Sequence, residues 1–292
     1  MASPVSRTST SSSTSSASSS TGGSIVSTKT ASTSASTNSS TVTVALKRRS
    51  LIPPRWKETV RVVGMSDCRE AALTLAYAFA ADDYAQYLVD SGDMHGVSAE
   101  QKWKLHVDIL TYTVTAHVMS GLATTVGPEF DSVALWVPPG KNLDGFWTQL
   151  RSGMWRLHFQ LSPEGKKRLF EEILPLLHNT KAEVLGDRND DAWYLVYLGT
   201  KPSSQGRGYA SKLLRDVIAR ADAEKRPIYL ESSSLANNAY YKKFGFEVKR
   251  EIFLERGPAP VRLSIMVREP RAPGSTAYST SSNPATKKPV RG

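Results

Sequence analysis

The stretch Gln205-Gly206-Arg207-Gly208-Tyr209-Ala210 stands between an apolar run, Ala192-Trp193-Tyr194-Leu195-Val196-Tyr197-Leu198, and the pattern Ala210, Leu213, Leu214, Val217, Ile218, Ala221. The run reads as a strand, the pattern as an amphipathic helix, and the glycines as a tight loop between them. That order points backbone N–H groups at a bound phosphate. Glycine lets the main chain come close to the anion, and the helix N-terminus adds a partial positive charge. Surface turns also use glycine, so the meaning of this loop depends on its neighbours.

Working outward, residues 59–63 read as a strand, and residues 67–81 as a helix capped by Ser66. Residues 98–119 form a long periodic helix closed by Gly121. Leu122–Val126 and Ser132–Val137 read as strands joined by a turn at Gly127-Pro128. Helical patterns follow over residues 143–159 and 163–177, before the strand at Ala192. Beyond the glycine-loop helix, Pro227 stops the pattern. Residues 228–231 then read as a short strand, 235–244 as a helix, and 247–255 and 261–267 as final strands. Strands alternating with helices, then a terminal antiparallel pair, indicate an α/β layer structure on a mixed sheet.

Both ends differ in composition. Residues 1–55 are dominated by Ser and Thr with few large apolar side chains, and residues 270–292 are rich in Pro, Ser and Thr. Such segments bury too little to offset the entropy of ordering, so both are expected to be disordered tails around one domain at residues 56–269. The formal charge of +10 belongs to the tails. Arg7, Lys29, Lys47, Arg48, Arg49 and Arg55 at one end, with Arg271, Lys287, Lys288 and Arg291 at the other, account for all of it. A nucleic-acid-binding fold carries its basic stripe on the folded face, so nucleic acid is not the expected partner. Lys47-Arg48-Arg49 fits a solvated linker, or less readily an import signal or anionic-surface patch.

Cys68 is the only cysteine, so no internal disulfide forms. No run reaches the ~20 apolar residues of a membrane span, and the N-terminus lacks the apolar core of a secretory signal. These features lead to the expectation of a soluble cytoplasmic protein, with the nucleus an alternative. The histidines show no metal-ligand spacing, and no metal is expected.

Three features lie in sequence order. Gln-x-x-Gly-x-Ala occurs at Gln205, Gly208 and Ala210. A short strand ends in Tyr229-Leu230-Glu231-Ser232. Then comes Asn237-Asn238-Ala239-Tyr240-Tyr241-Lys242-Lys243-Phe244-Gly245-Phe246. The combination resembles the GNAT superfamily of acetyl-coenzyme A-dependent N-acetyltransferases, and within it the puromycin N-acetyltransferase group. Leu135-Trp136-Val137-Pro138-Pro139 and the helical insert before Ala192 are similar to that group as well. The resemblance is strong over residues 191–267 and loose over 59–177. It implies a GNAT-type mixed, mostly antiparallel sheet flanked by helices, with acetyl-CoA as co-substrate and an amine as acceptor.

By that resemblance, Gln205, Gly206, Arg207, Gly208, Tyr209, Ala210 and Ser211 hold the pyrophosphate, while the backbones of Leu198, Gly199 and Thr200 pair with the pantetheine arm. Gly199 is expected to clear the way for that arm. Arg207 reads equally as a charge contact or a solvent-facing loop residue, and Tyr209 more as packing than as a contact. Asn237 and Tyr241, four apart, share a helix face. The resemblance places Asn237 on the pantetheine arm and Tyr241 near the thioester sulfur, where its hydroxyl would protonate the departing thiolate. Tyr240 is expected in the core.

The attacking amine must first lose a proton. Many relatives use a carboxylate on the strand before the glycine loop, but residues 192–198 contain none, so Glu231 on the next strand is the expected base. Glu129, Asp131 and a water chain are the alternatives. Phe146, Trp147, Trp155 and Phe159 read first as core packing and second as a wall for a hydrophobic amine. Small-molecule N-acetylation is the leading reading. A protein or histone acetyltransferase and a non-catalytic acyl-coenzyme A sensor are the alternatives.

Overall fold

Among the described residues, seven strands form one sheet: β1 (Arg61–Val62), β2 (Leu122–Val126), β3 (Ser132–Val137), β4 (Trp193–Thr200), β5 (Ile228–Ser232), β6 (Glu247–Leu254) and β7 (Val261–Arg268). The computed structural model describes residues 51–272. The expected tail segments and the Lys47-Arg48-Arg49 patch lie largely or wholly outside the described residues. Arg271, which the composition assigns to a tail, donates its N–H to Asp222 Oδ1 at 2.8 Å.

The strand order is β1-β2-β3-β4-β5-β7-β6, and every neighbouring pair is antiparallel except β4 with β5. That parallel pair decides the rest. Only Trp193, Tyr194 and Leu195 pair with Ile228, Tyr229 and Leu230. Beyond them β4 continues along β3 as far as Thr200, and β5 continues along β7 as far as Ser232. The two strands part, and the sheet opens as a V at its middle.

A bulge falls at the same point. Trp136 pairs with Leu195 and Leu135 with Tyr197, leaving Val196 as the extra residue. Strict alternation would put Tyr194 and Tyr197 on opposite faces. The bulge turns both towards one side, where Tyr197 meets Phe79 edge-on at 5.2 Å and Tyr194 meets Tyr229 at 5.4 Å.

Helices cover both faces. α1 (Cys68–Ala78), α2 (Asp83–Val89) and α3 (Ala99–Ser120) lie on one side; there Leu75, Leu110 and Val114 pack against Val133 and Leu135. Then come α4 (Phe146–Ser152), α5 (Leu157–Gln160), α6 (Pro163–Lys166) and α7 (Leu174–Leu185). α8 (Tyr209–Glu224) covers the opposite face, with Leu213, Leu214 and Val217 against Ala134, Trp136 and Leu195. α9 (Leu235–Lys242) follows β5.

Several boundaries differ from the sequence expectation for identifiable reasons. The first helix stops at Ala78, because Asp82 caps a separate helix: its Oδ1 accepts from the N–H groups of Tyr84 and Ala85 at 3.1 and 3.2 Å. α2 itself was not anticipated. Asp67 rather than Ser66 precedes α1, after a single 3-10 turn over Met65–Asp67. The helical stretch 143–159 is broken at Gly153 (φ +89°), where a Cβ would lie 2.9 Å from the Tyr112 ring of α3. The helix starting at Pro163 continues to Leu185 through a π-helical segment, Lys167–Ile173. Pro175, lacking an N–H, follows directly on the widened turns.

Candidate active site

Two cavities meet where β4 and β5 part. The larger, about 550 Å³, runs from Leu198, Gly199 and Thr200 under the glycine loop to the start of α8. The smaller, about 90 Å³, lies between α2, α7, β4 and β5, with Glu231 in its wall. Phe79, Asp82, Leu198, Asn237 and Tyr241 line both.

One wall of the larger cavity is built from backbone. Gly206 and Gly208 adopt φ of +77° and +76°, and a Cβ at either would meet nothing within 4 Å. These glycines therefore serve the turn and leave open space outside it. Among the described residues, the N–H groups from Gly206 to Ser211 donate to no protein acceptor, and α8 has no side-chain cap. Consecutive free N–H groups at the N-terminus of a long helix form a cradle for an anion. Ser204 holds the loop in place, donating to Asp131 Oδ1 at 2.6 Å.

The sequence candidates around this groove separate in the structure. Gln205, Gly206, Gly208, Tyr209, Ala210 and Ser211 line it. Arg207 is exposed and donates to Ser203 O at 3.2 Å; it is not among the lining residues. Tyr209 is buried in the α8 core and also reaches the groove. Gly199 lines the groove and has a further role beside the expected one. A Cβ there would lie 2.8 Å from Leu75 Cδ2 and 2.9 Å from Ala78 Cβ, so the missing side chain makes room for α1.

The expectation for the tyrosine pair also needs correction. Tyr241 is the more buried of the two, packed edge-on against Phe246 at 5.7 Å. Tyr240, expected in the core, is only partly buried and lines the groove, with its hydroxyl 3.0 Å from Ser211 Oγ. Both tyrosines border the groove because α9 lies across its side. Among the described residues the Tyr241 hydroxyl has no hydrogen-bond partner, and burial holds its pKa well above the usual phenol value. Asn237 is exposed at the junction of the cavities. Its neighbour Asn238 is the structural one, donating to Ser264 Oγ at 2.8 Å and so tying α9 to β7.

Glu231 sits on β5 on the same face as Tyr229. Burial pushes its carboxyl up to about 7, against the opposing pull of the Tyr194 and Tyr229 phenols and of Lys181. Its Oε1 and the Tyr229 hydroxyl are sealed from solvent and close enough to act on each other, but neither makes a hydrogen bond of good geometry. A carboxyl with a pKa near neutrality can hold or release a proton at working pH. Asp131 is removed as an alternative, since it is buried and its oxygens accept from Ser204 and from the Glu129 N–H. Glu129 points to neither cavity.

Phe146, Trp147, Trp155 and Phe159 correct both sequence readings. They are 71, 68, 43 and 78% exposed and line neither cavity. The break at Gly153 turns the buried side of this segment, Thr148, Ser152 and Leu157, inward and leaves the aromatics outside. The cavity wall comes instead from Phe79, Tyr84, Tyr194 and Tyr197. Asp82 and Ser233 were also missed. They join across the opening of the V, Ser233 Oγ donating to Asp82 Oδ2 at 2.6 Å. The N-cap pattern at Asp82 was the available signal.

Residues 179–248, spanning β4, the glycine loop, α8, β5 and α9, match the acetyltransferase (GNAT) domain family. An uncharacterized N-acetyltransferase of Schizosaccharomyces pombe is 42% identical over 228 residues, covering 78% of this chain and 90% of that protein. The chain belongs to the GNAT acetyltransferases. Among solved structures, the acetyltransferase is similar to mosquito arylalkylamine N-acetyltransferase like 5b, at 14% identity over 72% of this chain and 99% of that one, with a TM-score of 0.49. It is also similar to a histone acetyltransferase HPA2 and related acetyltransferase from Corynebacterium glutamicum, at 21% identity over 74% and 98% of the two chains, with a TM-score of 0.44. GNAT enzymes use acetyl-CoA, and the groove fits it: a pyrophosphate matches the free N–H cradle of residues 206–211. The unpaired edge of β4 beyond Leu195 matches an arm rich in amides.

Proposed function

We propose that the acetyltransferase moves the acetyl group of acetyl-CoA to the amine of a small molecule by direct attack. The observation that carries this reading is the placing of one carboxyl: Glu231, with a pKa near 7 and a free oxygen, lines a small cavity that meets the groove at Tyr241. The sequence likeness to the puromycin N-acetyltransferase group points the same way.

When bound, acetyl-CoA supplies the thioester carbonyl that the amine attacks. The N–H groups of residues 206–211 and the residues Gln205, Asn237, Leu198, Gly199 and Thr200 hold it in the groove. Arg207 adds a charge near the pyrophosphate from outside the cradle. Glu231 takes the proton from the incoming ammonium, which frees the nitrogen lone pair. Tyr241, kept protonated by its buried surroundings, gives its hydroxyl proton to the departing sulfur. In this division of labour Glu231 acts on the acceptor side and Tyr241 on the groove side. A domain at residues 56–269 contains every one of these groups.

The test is release of free thiol from acetyl-CoA in the presence of aliphatic and aromatic amines, aminonucleosides, polyamines and lysine peptides. Turnover of small amines above the lysine peptides is the expected result. Turnover confined to peptides would replace this reading with a protein acetyltransferase. Acetyl-CoA binding without turnover of any amine would leave a sensor.

A further inference from the structure

We propose that the acceptor cavity selects amines that carry no acid group, binding them as alkylammonium ions, and refuses amino acids and phosphorylated amines. This rests on the small-molecule reading above and narrows its substrate class. Three observations carry it.

First, two carboxylates line the cavity, Asp82 and Glu231, and no Lys, Arg or His does. Lys181 is the cation close enough to act on Glu231, and it is already committed. Its Nζ donates to Asn189 O at 2.5 Å and to Asn189 Oδ1 at 2.9 Å, and lies 6.0 Å from the centroid of the Tyr194 ring. A carboxylate or phosphate on the acceptor would enter without a counter-charge, against Asp82 and, once it is ionised, Glu231.

Second, the remaining wall suits a cation. Phe79, Tyr84, Tyr194 and Tyr197 present aromatic rings around the carboxylates, and ring faces attract ammonium groups. Glu231 Oε1 is buried without a partner and would accept from the ammonium N–H. Third, the cavity is narrow, about 90 Å³, and so takes the amine head with its first methylenes beside the carboxylates. The burial of Glu231 Oε1 strengthens the charge effects at that atom, because fields are less screened away from water.

Asp82 contributes charge in particular. Its carboxylate caps α2 and accepts from Ser233 at the opening of the V. Asparagine is as good an N-cap as aspartate, so Asp82→Asn removes the charge while keeping the helix start.

The experiment compares matched pairs, such as 2-phenylethylamine with phenylalanine, by kcat/KM in the full-length enzyme. The same ligands are also tested for thermal stabilisation of the enzyme without acetyl-CoA. The expected preference for the acid-free amine is at least ~10²-fold, reduced by ~10-fold in Asp82→Asn, because a like charge set against the ligand is the discriminating element. Thermal stabilisation should follow the amine and be absent with the amino acid. Equal turnover of both members of each pair would overturn the inference while leaving the small-molecule reading intact. An unchanged preference in folded Asp82→Asn would remove Asp82 from it. Turnover of lysine peptides alone would overturn the underlying reading.

Discussion

The groove and the acceptor cavity share five residues yet are made of different material. The groove offers main chain: consecutive N–H groups, two glycines with positive φ and the free edge of a strand. The cavity is side chain: rings and carboxylates contributed by α2, α7, β4 and β5. A backbone site tolerates many side chains but almost no change of local geometry. A side-chain site is retuned by single substitutions while the fold stands. In the proposed reading, acetyl-CoA is met by the first kind and the acceptor amine by the second.

The largest contrast is expected at Gly208. Gly208→Glu sets an L-residue at φ +76° and a carboxylate at the anion cradle, so acetyl-CoA binding should vanish by calorimetry while the fold remains. Unchanged affinity would mean that residues 206–211 do not hold the pyrophosphate. Tyr241→Phe keeps the packing against Phe246 and removes the proposed proton donor. Single-turnover acetyl transfer should slow by roughly 10²–10⁴-fold with cofactor affinity preserved. A wild-type single-turnover rate would reduce Tyr241 to packing.

Glu231→Gln should slow the chemical step by about 10²-fold or more, and a pH profile separates its causes. The wild-type rate should rise as pH passes about 7 and the carboxyl ionises, and the variant should lack that rise. Stability carries the opposite sign. Between the ordinary glutamate value of 4.5 and about 7, the folded protein holds a proton that the unfolded chain has released. Stability present at low pH is therefore lost across that window, and Glu231→Gln should flatten it in denaturant titrations. A profile without this slope would place Glu231 in a wetter setting than the cavity provides.

A smaller effect distinguishes two reasons for one glycine. Gly199→Ala should cost about 1–3 kcal/mol in unfolding free energy through overpacking against Leu75 and Ala78. Reduced acetyl-CoA affinity without lost stability would instead favour a cofactor clearance role. The smallest effect is expected from removing residues 1–50, which should leave small-amine turnover and melting temperature unchanged, since that composition offers little to bury. A large drop in either would bring the segment into the working domain.

The legible parts of this protein are those set by neighbours in sequence. β2 and β3 lie where alternation and turn residues put them, and α8 begins at the end of the glycine loop. Asn237 and Tyr241 come together because four residues make about one helical turn. The aromatics of residues 146–159 show where such reasoning stops. Their spacing is helical, but the break at Gly153 depends on the Tyr112 ring of another helix. Tyr194 and Tyr197 were hidden for a related reason, as a bulge at Val196 changes the period of the strand that carries them.

Local sequence therefore determined the strand-loop-helix, the anion cradle that follows from it, and most of the element order. Those depend on φ preferences, hydrogen bonds between near neighbours and the period of apolar residues, all written within a few positions. Tertiary structure decided which face Tyr197 shows, why position 199 must be glycine and which carboxyl has a pKa near 7. It also brought Asp82 within 2.6 Å of Ser233, 151 positions away in the chain. These depend on how far β4 and β5 splay and on what the packed helices exclude from water. Desolvation and close approach are properties of the assembled volume, with no short-range pattern in the chain to announce them.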